Sequence, residues 1–172
     1  MSPPERTTPE RVLAIYGHPD DPEISCGGTL ARWADEGADV HILITTRGDK
    51  GSEDPAVDPE GLAKVRVEET AAAARVLGAV PHHLDHPDGE LVDDRALRLE
   101  LVRAVRTIRP DVVCCPDPTP SIQVCPFDAV ACAACPSTRG AQAAAVGGRA
   151  TSAVMLAGRV TVSASGWLST ET

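Results

Sequence analysis

Short runs of branched, apolar residues recur along the first part of this chain, separated by stretches whose apolar residues return at helical intervals. "RVLAIYG" (11–17) ends in glycine, as a buried parallel strand entering a loop does, and Pro22 through Glu36 then carries Ile24, Leu30 and Trp33 with helical spacing. "DVHILITT" (39–46) is a second strand, followed by the glycine- and acid-rich loop "RGDKGSEDPAVDPEG" and a helix over 61–77 that Gly78 stops. A third strand around 80–85 comes next, then a helix over 94–108 with Leu97, Leu101, Val105 and Ile108 on one face, and a fourth strand "DVVCC" (111–115). This alternation predicts an α/β, Rossmann-like fold: a mostly parallel sheet with helices on both faces. Ligands of open sheets sit outside the carboxyl ends of the strands, and the loop 17–21 lies at such an end.

A chain of 172 residues is long enough for one domain with a real core, here 11–117 after an N-terminal tail, 1–10. A net charge of −9 offers no cationic field to recruit phosphates, which argues against nucleic acid or an anionic membrane as partner and leaves a small molecule. "MSPPERTTPER" has no apolar core to act as a secretory signal, and the apolar stretches near the C-terminus are broken by Arg149 and Arg159, so a soluble, cytoplasmic protein is expected. The six cysteines are then expected to be reduced thiols.

Residues 118–172 differ in kind. They contain no lysine, only Asp128 and Glu171 as acids, and three arginines, in a background of Ala, Gly, Ser, Thr and Val with no period of two or 3.6. Neither strand nor helix is specified there by pattern. A shifted reading frame in GC-rich coding sequence produces this composition, and the tail is expected to be a replaced ending.

The densest chemistry lies in "GHPDDPEISCGG" (17–28). Asp21 before Pro22 makes a good helix N-cap followed by a good first helical residue, and His18 by itself is explained by a bond to a carbonyl. A cap needs one carboxylate, however, and Asp20 and Asp21 stand side by side within reach of an imidazole. Crowded carboxylates favour a cation, and zinc takes imidazole nitrogen and carboxylate oxygen. One aspartate with His18 would supply two donors, and the other would be free to act as a general base; spacing alone leaves open which does which. A dinucleotide site is disfavoured, because the glycine pattern is absent and two carboxylates stand where a pyrophosphate would approach.

"GHPDDPEISCGGTLARWADEGADVHILITTRGDKG" resembles the opening of the PIG-L/LmbE-like family of N-acetylglucosaminyl deacetylases, and the similarity continues through "RVEETAAAARVLG" (66–78), "PDGEL" (87–91) and "IRPDVVCCPDP" (108–118). The resemblance implies a zinc-dependent hydrolase that deacetylates an N-acetyl amino sugar. It implies His18 and Asp21 as zinc ligands and Asp20 as the general base. Arg47 in "TRG" matches an arginine placed near substrate, and Asp88 falls in the family's PDG turn as a second substrate-binding candidate. Their plain readings are a surface arginine and a turn-forming Asp-Gly pair. Glu23 matches a family glutamate but also suits the first turn of a helix, and carries no catalytic role.

The family's third zinc ligand is a histidine after the fourth strand, and no histidine follows His86 here. "HHLDH" (82–86) contains an HxxH interval, but on a strand His83 and His86 point to opposite faces. Cys125, Cys132 and Cys135 are no better candidates, a single CxxC among alanines being weak evidence. With two protein donors zinc is held loosely, so the alternative is a non-catalytic or impaired member of the family.

Overall fold

The computed structural model describes residues 8–116 throughout, and the backbone of four short strands between 143 and 169. The elements run β1 (Arg11–Tyr16), α1 (Asp21–Asp35), β2 (Asp39–Thr46), α2 (Pro59–Leu77), β3 (Ala79–His86), α3 (Arg95–Ile108) and β4 (Val112–Pro116). The four backbone strands are β5 (Ala143–Ala145), β6 (Ser152–Leu156), β7 (Thr161–Val162) and β8 (Leu168–Ser169). Cys125, Cys132 and Cys135, with most of the expected replaced ending, lie outside the described residues.

The main sheet has the order β3-β2-β1-β4-β6-β5. Its first four strands are parallel, with β1 central between β2 and β4. This is the expected α/β fold. The order of strand addition reverses at β1, outward to β2 and β3 on one side and then back to β4 on the other, and in such sheets ligands sit in the crevice at the carboxyl ends of the strands there.

Alternate residues of the central strands face two separate cores, as a sheet covered on both sides requires. Val12, Ala14 and Tyr16 of β1 pack with Val40, Ile42 and Ile44 of β2 against Leu30 and Trp33 of α1 and Ala74 of α2. Leu13, Ile15, Leu43 and Val113 face the opposite way, onto Leu97, Leu101 and Ile108 of α3. Each fully buried leucine here contributes about 1.5–3 kcal/mol relative to exposure.

Two details depart from expectation. Ile24 does not join the buried stripe of α1; it is 82% exposed. Six residues at 100° each carry it well round the helix from Leu30, and Pro22, Gly27, Leu30 and Trp33 form the buried face instead. Beyond 118, where no strand was specified by pattern, β6 lies antiparallel on the free edge of β4 and β5 pairs with β6. An open strand edge presents N–H and C=O groups that pair with any extended segment, so this pairing needs no side-chain period. Among the described residues no helix is long and apolar enough to cross a membrane, and Cys26, Cys114 and Cys115 are in no disulfide.

Candidate functional site

Three loops meet at the carboxyl edge of the sheet: those after β1, β2 and β3. The end of β2 clamps the first of them, since Thr46 donates to Gly17 O from its backbone N at 3.0 Å and from Oγ1 at 2.8 Å. Thr45 Oγ1 adds a bond to Tyr16 O at 3.2 Å. Gly48, at φ +64°, lets the second loop lie against the first; a Cβ there would sit 3.1 Å from Pro19 Cδ.

Neither aspartate of the motif caps α1 with its side chain. The N-cap residue is Asp20, not Asp21 as expected, and its side chain makes no capping bond. It holds a left-handed backbone, φ +88°, a conformation that costs a non-glycine residue on the order of 1–3 kcal/mol. Its carboxylate turns outward to Arg66 of α2, with Oδ2 accepting from Nη2 at 2.7 Å. Arg66 also donates to Pro19 O at 2.8 Å and pairs with Glu69 at 2.7 Å, so one guanidinium fixes both the loop and its carboxylate.

Asp21 turns back on His18. Its Oδ2 accepts the His18 backbone N–H at 3.0 Å and lies 3.3 Å from His18 Nδ1. Two donors of a tetrahedral zinc at about 2.0–2.1 Å from the ion stand about 3.3 Å apart, so this pair fits two corners of such a site. The other ring nitrogen, His18 Nε2, meets Asp88 Oδ1 at 2.9 Å. Asp88 is itself buried, in the turn after β3, with its backbone N–H donating to Asp49 Oδ1 at 2.9 Å.

Glu23, on the first turn of α1, has both carboxylate oxygens buried with no partner from another residue. Burial first, opposed by its own backbone amide, and then Asp20 and Asp21 hold its pKa above the ordinary carboxylate value. The motif therefore places three carboxyl groups around one turn.

The structure brings together His18, Asp20, Asp21 and Asp88 and leaves Arg47 to one side. Arg47 Nε pairs with Asp85 Oδ1 at 2.8 Å and Nη1 with Glu60 at 3.3 Å. With Glu60, Lys64 and His83 it lines a cavity of about 620 Å³ between α2 and β3. Arg66 stands first in "RVEETAAAARVLG", where its charge is the one signal the sequence offers for this contact.

The remaining histidines follow strand parity. His82 Nε2 lies 2.9 Å from His41 Nδ1, and His86 Nε2 lies 2.7 Å from Glu100 on α3, whereas His83 faces the α2 side. Among the described residues no group of three or more His, Cys, Asp or Glu is arranged to hold a metal. The loop after β4, where the family's third ligand was expected, lies outside the described residues.

Comparison with known proteins places this geometry. The chain is 42% identical over 110 residues to the diacetylchitobiose deacetylase of Thermococcus kodakarensis, an alignment covering 63% of this chain and 41% of that one. It is 43% identical over 86 residues to a 1D-myo-inositol 2-acetamido-2-deoxy-alpha-D-glucopyranoside deacetylase of Kineococcus radiotolerans, covering 47% of this chain and 24% of that one. The structure superposes on the N,N'-diacetylchitobiose deacetylase of Pyrococcus horikoshii with a TM-score of 0.69 at 34% identity, covering 72% of this chain and 46% of that one. The chain thus spans less than half the length of these relatives. Residues 13–124 match the family model PIG-L: GlcNAc-PI de-N-acetylase, and with the HPDD turn seated at the carboxyl edge of a parallel sheet this chain belongs to the PIG-L family.

Proposed function

We propose that this chain is a zinc-dependent, cytoplasmic hydrolase that removes the acetyl group from an N-acetylglucosamine-type sugar. The observation that supports it best is the diversion of both motif carboxylates away from helix capping, Asp21 to His18 and Asp20 to Arg66. Ordinary helix starts use such side chains on their own amides.

His18 Nδ1 and Asp21 Oδ2 would hold the metal. Zinc, when bound, lowers the pKa of water toward about 7 and polarises a carbonyl. Asp20 is the proton acceptor for the attacking water: 55% of its side chain is exposed at the mouth of the site, and Arg66 keeps Oδ2 in place while Oδ1 takes the proton. Attack on the acetyl carbonyl breaks the amide C–N bond, the proton passes from Asp20 to the leaving nitrogen, and acetate and a free amino sugar result. Arg47 contacts the sugar only by leaving Asp85 and Glu60, so Arg47→Ala tests that role through turnover at unchanged zinc content.

The experiment is zinc per chain after dialysis, with acetate release from N-acetylglucosamine and diacetylchitobiose. His18→Ala and Asp21→Ala should lose the metal, while Asp20→Asn should keep it and lose hydrolysis. Equal loss of zinc in all three contradicts this division of roles.

A second reading is an impaired member without a working metal site. It is favoured by the absence of any histidine after His86 and of a third donor among the described residues. Zinc-free protein with no acetate release would establish it. Reading the coding DNA in its other two frames past the Pro118 codon then tests the replaced ending. An HxxH-like element followed by family-like segments supports a frame slip, and its absence from both frames leaves a divergent tail.

A further inference from the structure

We infer that Asp88 is a positioning residue for His18: its carboxylate holds the imidazole so that the proton sits on Nε2 and the Nδ1 lone pair faces the metal. A neutral imidazole carries one N–H, and the carboxylate at 2.9 Å from Nε2 takes it as a charge-assisted hydrogen bond. With the proton on Nε2, the Nδ1 lone pair faces Asp21 Oδ2 at 3.3 Å, a spacing that a cation held by both would bridge. The support is rigid. The Asp88 side chain is only 12% exposed, its backbone N–H is tied to Asp49, and the following Gly89 has φ +71°, which favours glycine. Carboxylate, histidine and metal in line is the arrangement that fixes ring rotation and raises ligand basicity. Asp88, a substrate-binding candidate by resemblance, has its Oδ1 on His18.

The inference rests on the proposed metal pair, and its test separates the two. Nitrogen-15 spectra of the histidine rings in the full chain at pH 8, with His18 assigned by its loss in His18→Ala, read the tautomer without metal. The wild type should show the Nε2–H form of His18, and Asp88→Ala should move that signal while thermal melting and circular dichroism report an intact fold. Competition with a chelator for zinc should show affinity weakened about 10–100-fold in Asp88→Ala and less in Asp88→Asn, whose amide oxygen still accepts from Nε2. An unmoved ring signal, or a moved signal with zinc affinity unchanged and only KM raised, overturns the positioning role. A wild type that binds no zinc overturns the metal reading, while the ring signal still decides whether Asp88 holds His18.

Discussion

Replacing Asp20 by glycine and by alanine separates its backbone from its chemistry. Both variants lose the carboxylate and the ion pair with Arg66, which is partly exposed and worth about 0–1 kcal/mol, so that loss cancels in the comparison. What remains is a Cβ at φ +88°. A left-handed conformation costs an L-residue about 1–2 kcal/mol, whereas glycine adopts it freely. Glycine has more entropy to lose from the unfolded chain, about 0.4–1 kcal/mol. The difference leaves Asp20→Gly more stable than Asp20→Ala by about 1 kcal/mol. Urea unfolding at equal slope measures it. At an extended or right-handed position the sign inverts, so an alanine variant as stable as the glycine variant would refute the strained turn. On the proposed role of Asp20 as proton acceptor, both should be inactive, because neither has its carboxylate.

Gly48→Ala should cost about 1–2 kcal/mol by urea unfolding, since φ is +64° and the added methyl meets the Pro19 ring at 3.1 Å. Leu101→Ala, in the core under α3, should cost about 2–5 kcal/mol in the same assay. Arg66→Lys should lower acetate release at least about tenfold with zinc content unchanged, because one ammonium cannot reproduce the fork that spans Pro19, Asp20 and Glu69. Stability should also fall on acidification. Burial, then His41 and His83, hold the His82 pKa below its ordinary 6.5, so its contribution is present above 6.5 and lost as pH falls through that value toward the folded pKa. Unfolding midpoints from pH 8 to pH 5 should drop less steeply in His82→Gln.

Much of this protein is local and was legible in its sequence. The branched runs at 11–16 and 39–46 are buried on both faces, and a strand buried so must read as continuously apolar; α3 shows its stripe because Leu97, Leu101 and Ile108 all face one core. The contact between His18 and Asp21 was legible for the same reason. His18 and Asp21 lie three residues apart in one turn, so their meeting needs no other part of the chain. What the tertiary structure decided is the company these residues keep. Arg66 reaches Asp20 across 46 residues only because α2 starts at the carboxyl edge beside the first loop, whereas Arg47 pairs with Asp85 and Glu60. Asp88 meets His18 only because β3 lies two strands from β1 and its following turn folds back over the site. Which aspartate stands at the N-cap was also decided there. A left-handed Asp20 is unfavourable by itself and persists because Arg66 and the Gly48 loop hold the turn from outside, and no local propensity carries that information.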